Sequence, residues 1–262
     1  MIEIKNASFR YPNGFVALEN IDLTIHEGEK VAIVGQNGAG KTTCVKMMNG
    51  LNRPFEGDVI VDGINTKDVT VATVARKVGY VFQNPDEQIF NNTARKEIEF
   101  MPRYYKLPEE EVKKRVDYAV EVCDLGKYME TNPYEIPYPI RKFVAIAAVI
   151  ASNPKYIILD EPTAGQDLHG TQVLGNMIDR LTKDGITMIT ITHDMEFAVR
   201  NFDRIIAMAH KNIICDGSAQ DVFWNEEVVA DAKIKKPTIG ELAKRLGLDG
   251  KILFSEELVE KL

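Results

Sequence analysis

Gly35-Gln36-Asn37-Gly38-Ala39-Gly40-Lys41-Thr42 satisfies the pattern G-x-x-x-x-G-K-[ST] and lies between an apolar run, Val31-Ala32-Ile33-Val34, and a helix-compatible stretch. That is the context in which the pattern works as a phosphate loop. The glycines let the backbone curl so that its N–H groups point at the β- and γ-phosphates of a nucleotide, and the following helix adds the positive end of its dipole. Lys41 brings a full charge to the same place, and the Thr42 hydroxyl is available to Mg²⁺, which takes few protein ligands. A second constellation is Tyr156-Ile157-Ile158-Leu159-Asp160-Glu161, an apolar strand delivering two carboxylates at the end where open α/β sheets bind ligands. One acid, Asp160, suits Mg²⁺ held through water, and its neighbour Glu161 suits activation of the attacking water. His193 ends the run Ile186–Thr192 and reaches the same edge; lone histidines are more often structural, and the strand-end position is what argues for chemistry. Gln83, after Val78–Phe82, has an amide able to reach metal or water, although by itself it reads as an exposed strand-end glutamine.

The elements that must position these residues follow from periodicity. The runs at Val31–Val34, Lys155–Asp160 and Ile186–Thr192, with a helical-period segment from Thr171 to Leu181, predict parallel strands with crossover helices. Residues 1–10 and 18–27 alternate and are joined by Pro12-Asn13-Gly14, which predicts an antiparallel layer to which Asp58–Asp62 adds. From about 93 to 151 the pattern is helical, charged and interrupted by prolines, as expected of an inserted helical subdomain. Arg204–Met208 and Asn212–Cys215 predict a closing hairpin, and after Gly217 the pattern is helical. Near the end, Thr238 and Glu241 predict a capping box, with Ile239, Leu242 and Leu246 as one apolar stripe.

Composition bounds the function. Over 262 residues, 32 basic against 39 acidic side chains leave a net charge of -7, which offers no broad attraction for a phosphate backbone; nucleic acid is not expected as a principal partner. Cys44, Cys123 and Cys215 lack metal-ligand spacing and fit a reducing compartment as small core residues. Met1–Lys5 alternates like a strand rather than a signal peptide, and the longest apolar run, Phe143–Ala151, falls well short of the ~20 residues that cross a bilayer. The expectation is a protein at the cytoplasmic face of the cell membrane, peripheral to it.

Taken in order, Tyr11, the Gly35–Thr43 loop, Gln83, Asp160-Glu161, Ala164-Gly165-Gln166-Asp167 and His193 resemble the ABC ATPase family over about residues 1–220. The resemblance implies an α/β fold: a P-loop NTPase core with an N-terminal antiparallel β subdomain, an inserted helical subdomain at about 87–152, and a C-terminal helical extension at 221–262. It implies ATP and Mg²⁺ as cofactors. Tyr11 would stack on adenine, with packing on the core as the alternative, and Asn37, Gly38, Ala39, Gly40, Lys41, Thr42 and Thr43 would hold the phosphates. Thr42, Gln83 and Asp160 would attend Mg²⁺, Glu161 would act as base with Gln83 and His193 beside it, and Asp167 would lie in the loop crossing to a second subunit. Within the family, Phe82-Gln83-Asn84-Pro85-Asp86-Glu87-Gln88-Ile89-Phe90 resembles the ATPases of energy-coupling factor transporters, importers of vitamins and transition-metal ions. By that analogy Asp86, Gln88 and Phe90 lie near the groove for helices of an integral membrane coupling subunit, itself joined to a substrate-binding membrane subunit. The segment Pro237–Leu262 resembles the extension of those proteins, as a dimer contact or packed on its own core.

One departure matters. Where the family carries Leu-Ser-Gly-Gly-Gln, this chain reads Ile136-Pro137-Tyr138-Pro139-Ile140. In ABC dimers that loop caps the ATP of the opposite subunit; Pro137 has no hydroxyl and Pro139 no N–H. Two lost hydrogen bonds to a charged group, at ~1.5–3 kcal/mol each, would weaken the γ-phosphate clamp unless Tyr138 or Arg141 compensates. The reading favoured is a heterodimer with a second ABC ATPase subunit that supplies an intact signature, over a homodimer whose unusual signature still works. The alternative function is a soluble ABC ATPase acting without a membrane partner; the absence of heptads and of a second cassette argues against it. Glu161 and His193 together argue against a module that binds nucleotide without turnover.

Overall fold

The computed structural model describes residues 1–248 and 250–262. The chain opens with three strands, β1 (Ile2–Arg10), β2 (Val16–Ile25) and β3 (Lys30–Val34), followed by helix α1 (Lys41–Met48). Next come β4 (Glu56–Val61), β5 (Ile64–Asn65), α2 (Val71–Ala75) and β6 (Val78–Val81). Helices α3 (Ala94–Tyr104), α4 (Glu109–Val122) and α5 (Tyr138–Ala151) precede β7 (Tyr156–Asp160), α6 (Leu168–Lys183), β8 (Thr187–Ile191) and α7 (Met195–Asn201). The hairpin β9 (Arg204–Ala209) and β10 (Asn212–Gly217) leads into short helices α8 (Ala219–Phe223), α9 (Glu226–Asp231), α10 (Thr238–Arg245) and α11 (Ser255–Val259).

These strands make two sheets: an antiparallel one, ordered β2-β1-β4-β5, and a six-stranded one, ordered β10-β9-β3-β8-β7-β6. In the larger sheet β9, β3, β8, β7 and β6 run parallel, and β10 pairs antiparallel at the edge. Both faces of the parallel strands are buried. Along β3, Ala32 and Val34 enter one core and Val31 and Ile33 another; along β7, Ile157 and Leu159 separate from Tyr156 and Ile158 in the same way. Strands covered on both faces need apolar residues at every position, which is why they read as unbroken runs rather than as alternation.

The second core holds α1 between the two sheets, with Cys44, Val45, Met47 and Met48 fully buried. The first core joins the other face of the large sheet to α3, α4, α5 and α6. Here the apolar run Phe143–Ala151 is spent on packing: every residue of it is buried along α5. No helix among the described residues is long and apolar enough to cross a membrane.

The expected strands and the inserted helices are all present, with two corrections. The capping box at Thr238 and Glu241 does not form: Pro237 is the N-cap of α10 and makes no side-chain cap, the Thr238 N–H donates to Glu196 Oε1 at 2.6 Å, and Glu241 pairs with Arg245. An acceptor from another helix thus replaces the local cap. The apolar stripe of α10 also divides, with Ile239 packed in a small C-terminal core while Leu242 and Leu246 are 42% and 50% exposed. Of the cysteines, Cys44 and Cys123 are buried and Cys215 is half-buried. Burial pushes the Cys44 thiol up to about 12, so it remains protonated.

The segment after β6 is tied to α3 by one buried carboxylate. Glu97 Oε2 accepts from the Phe90 and Asn91 N–H groups at 3.2 and 2.8 Å and from Asn91 Nδ2 at 2.8 Å. Glu97→Ala strands these donors and is expected to cost about 1–3 kcal/mol. That is a fall of roughly 2–4 °C in Tm per kcal/mol for a chain of this size, measurable by thermal unfolding. Glu97→Gln, which keeps an acceptor, is expected to lose less.

Candidate functional site

The parallel register brings the site together. Ile33 lies level with Ile191, and Ile191 with Asp160. Beyond the last strand residues the ladder continues, with the Thr192 N–H donating to Ile33 O at 3.3 Å and the Glu161 N–H to Ile191 O at 3.0 Å. The turns after β3, β7 and β8 therefore leave the sheet side by side. They surround a cavity of about 480 Å³ lined by the phosphate loop, Tyr11, Gln83, Asp160, Glu161 and His193.

The loop is shaped by contacts that only glycine tolerates. At Gly35, φ is +144° and a Cβ would stand 2.2 Å from Met208 O; at Gly40, the N-cap of α1, φ is +104° and a Cβ would meet Leu18 Cδ2 at 2.5 Å. Lys41 is 6% exposed, and its Nζ donates to Gly35 O at 2.7 Å and to Gln36 O at 3.0 Å. Burial lowers its pKa, and Glu161 and Asp160 oppose that fall. Asn37, Gly38, Gly40, Thr42 and Thr43 line the cavity. Ala39 does not: its methyl is in the core and its N–H donates to Gln36 O at 3.2 Å, so it shapes the turn from beneath.

The Thr43 hydroxyl bonds the Tyr11 hydroxyl at 2.8 Å. Tyr11 also stands edge-on to Phe9, with 39% of its surface exposed. The two readings of Tyr11 are therefore compatible, one ring edge resting on Phe9 while the residue still lines the cavity mouth. Phe15, exposed on the same wall, escaped the sequence reading because it belongs to no motif. Its place beside Tyr11 follows from the β1–β2 hairpin.

The acids differ in environment. Asp160 Oδ2 accepts from the Tyr80 hydroxyl at 2.6 Å, a bond from β6 that steadies one oxygen. Glu161 sits at φ +51°, a left-handed conformation that turns its carboxylate out of the strand path toward His193. Its Oε2 accepts from the His193 N–H at 3.2 Å, and its Oε1 lies 3.2 Å from His193 Nε2. That same Nε2 is 3.3 Å from Lys41 Nζ. Burial and then Lys41 hold the His193 pKa below its ordinary 6.5, so the ring is neutral at pH 7. A neutral ring has one proton: in one tautomer Nε2 accepts from Lys41, in the other it donates to Glu161, so a small shift of proton or charge redirects the ring.

The donor set fits a hard divalent cation: a carboxylate, a hydroxyl and an amide oxygen, from Asp160, Thr42 and Gln83, line one cavity. Such an ion would neutralise charge on transferred phosphate oxygens. Lys41 and the loop N–H groups could then orient the phosphates and Glu161 could accept a proton from water, while His193 Nε2 lies between that carboxylate and Lys41 Nζ.

Lys142 was not singled out from the sequence, and it is 1% exposed. Its Nζ donates to Glu161 O and to Ala164 O, both at 2.8 Å. Asp86, Gln88 and Phe90 part company. Gln88 and Phe90 line a second cavity, of about 300 Å³, with Phe82, Phe100 and Tyr105, whereas Asp86 pairs with Arg141 at 2.8 Å. Arg141 also donates to Tyr134 O and Ile136 O, which commits its charge to the base of the signature loop rather than its tip. Pro137 caps α5 without a side-chain bond, Tyr138 opens the helix with Pro139 second, and the Tyr138 ring rests on Gly165. Asp167 Oδ1 caps α6 through the Gly170 N–H at 2.7 Å.

Burial raises the pKa of Glu161 above the ordinary 4.5. Between those two values the folded state binds more protons than the unfolded one, so this contribution to stability is present at acid pH and lost as pH rises through the folded pKa. At neutral pH the ionised carboxylate is a burden. Glu161→Gln is therefore expected to raise Tm at pH 7 by a few degrees, at roughly 2–4 °C per kcal/mol, and to abolish ATP turnover while ATP binding persists. Thermal unfolding at pH 5 and pH 7 checks the sign: the gain should shrink at the lower pH.

The geometry agrees with comparison to known proteins. A family model described as ABC transporter matches residues 18–164. The energy-coupling factor transporter ATP-binding protein EcfA of Methanosphaera stadtmanae is 36% identical over 256 residues, covering 97% of this chain and 92% of its own. The structure of CbiO1 from Clostridium perfringens, part of the ABC transporter complex CbiONQ, superposes with a TM-score of 0.80 at 32% identity, covering 93% of this chain and 98% of the other. A dimeric ATP-binding cassette, MJ0796, bound to ADP and Pi in a post-hydrolysis state, gives a TM-score of 0.75 at 30% identity over 83% of this chain and 98% of its own. The phosphate loop, the paired acids and the strand-end histidine thus stand in a chain that belongs to the ABC transporter ATPase family and binds and hydrolyses ATP.

Proposed function

We propose that this chain energises an energy-coupling factor importer of a vitamin or transition-metal ion, with Mg²⁺ as the ion used with ATP. Residues 1–220 would form the ATPase domain, with the helical subdomain at about 87–152, and residues 221–262 an extension. The observation that carries the reading is the apolar groove beside Gln83. Leu51, Val71, Phe82, Phe90 and Phe100 line it, and Phe90 and Phe100, 63% and 40% exposed, stand edge to face at 4.8 Å. Such a groove suits the apolar face of a helix from a membrane subunit. Gln88 connects it to the signature helix, its Oε1 accepting from the Phe82 N–H at 3.2 Å and its Nε2 donating to Ala145 O at 3.3 Å. A helix seated there would bear on α5 and on the strand leading to Gln83, the peripheral position expected of the chain. The kinship with EcfA and CbiO1 supports the same reading.

We infer further that the working ATPase is a heterodimer. Pro137 offers no hydroxyl, Pro139 no N–H, and Arg141 is turned inward, so the tip of α5 has fewer donors to cap an opposite nucleotide, with the exposed Tyr138 left as a side-chain donor. A second ABC ATPase subunit with an intact signature would complete the site described here. Leu242 and Leu246, left exposed on α10, give such a pair an additional apolar contact.

Two measurements test these readings. Washed membranes from cells carrying the full transporter should retain the chain, and Phe90→Asp with Phe100→Asp should release it; wild-type protein found only in the soluble fraction supports the soluble ABC alternative. Purified Glu161→Gln should remain monomeric with Mg-ATP and dimerise once the partner is added, read by mass in solution. An ATP-dependent dimer of the chain alone overturns the heterodimer.

A further inference from the structure

The signature helix carries one charged group that the chemistry described so far does not use. Lys142 lies in the second turn of α5, 1% exposed, and its ammonium faces the turn that follows β7. There it donates to the carbonyls of Glu161 and Ala164, both at 2.8 Å. Other bonds hold the turn to β8 and its end: the Glu161 N–H donates to Ile191 O at 3.0 Å, and the Thr163 and Thr192 hydroxyls meet at 3.4 Å. Glu161 O also receives the Ala164 N–H at 3.3 Å, and Thr163 O receives the Gln166 N–H at 3.0 Å. Within this turn Glu161 must hold φ +51°, a conformation that residues other than glycine, asparagine and aspartate seldom adopt without support.

A buried ammonium is costly where an apolar side chain of the same volume would pack as well. Burial pulls its pKa down to about 8, with Glu161 and Asp160 opposing that fall. Packing therefore does not explain a lysine here. Two converging carbonyl acceptors and two nearby acids do.

We propose that Lys142 is a positioning residue for ATP hydrolysis, holding the left-handed turn at Glu161 so that the carboxylate keeps its direction toward the reacting water. Lys142 touches no substrate atom and acts through Glu161. The first turn of α5 reinforces the link, since Gln166 Nε2 donates to Pro139 O at 2.8 Å and the Tyr138 ring lies against Gly165. A shift of α5 is thereby transmitted to the base of the chain's own site.

The test is Lys142→Met in the full chain, assayed in the assembly that supports wild-type turnover. A lost positioning contact should lower kcat about tenfold or more while KM and the affinity for a fluorescent ATP analogue stay within about twofold. Added to Glu161→Asp, which keeps a shortened base and residual turnover, it should cost less than it does in the wild type, because the two act as one unit. A readout independent of turnover is hydrogen exchange, which should quicken at residues 161–166 and stay unchanged in α1. Lys142→Arg, which keeps the charge and the donors, should recover part of kcat. If Lys142→Met does not fold, Lys142→Gln takes its place, its shorter amide being unable to span both carbonyls. Unchanged kcat and exchange, or a loss that adds fully to that of Glu161→Asp, overturns the proposal; so does a loss of ATP affinity that matches the loss of turnover.

Discussion

The site depends on the parallel register of β3, β8 and β7. Because Ile33, Ile191 and Asp160 stand level across three neighbouring strands, the phosphate loop, His193 and Glu161 leave the sheet at one height. A slip of one residue in any of these strands would exchange the side chains entering the two cores, so the same apolar packing that stabilises the sheet also sets the spacing of the chemistry. The helix α1, held between two sheets, gives the phosphate loop a base that cannot tilt without disturbing the second core.

Charge is the second organising constraint. Four ionisable residues, Lys41, Lys142, Asp160 and Glu161, are buried together, two of each sign. Isolated, each would be costly; assembled, each ammonium offsets the acids while backbone carbonyls and N–H groups satisfy the remaining donors and acceptors. The offset is incomplete, since burial still raises the pKa of Glu161 and lowers those of Lys41 and Lys142. A phosphate bound in the loop would bring its negative charge to Lys41 and the loop N–H groups with little rearrangement of the surroundings.

The signature segment shows how one helix can serve several duties with unusual residues. Pro137 and Pro139 bring neither a hydroxyl nor an N–H to the tip of α5, yet the helix is still closely attached to the turn after β7 through Lys142, Pro139 and Tyr138 and to the segment after β6 through Arg141 and Gln88. Its internal linkages are intact.

The sequence by itself determined the nucleotide chemistry and the class of fold, because both rest on local rules: a phosphate loop is contiguous, strands buried on both faces are continuously apolar, and the paired acids must follow a strand. It could not determine which distant residues meet. Lys142 looks like one more charge on a helix, Phe15 like a loop aromatic, and Tyr80 like a strand residue, until packing of α5, the β1–β2 hairpin and β6 sets them against Glu161, Tyr11 and Asp160. The same limit explains the capping box at Thr238, where a carboxylate from α7 supplies the acceptor that the local pattern assigned elsewhere. Local hydrogen bonding and hydrophobic periodicity are encoded over a few residues; long-range contact and the burial of charge are decided only when the elements close on one another.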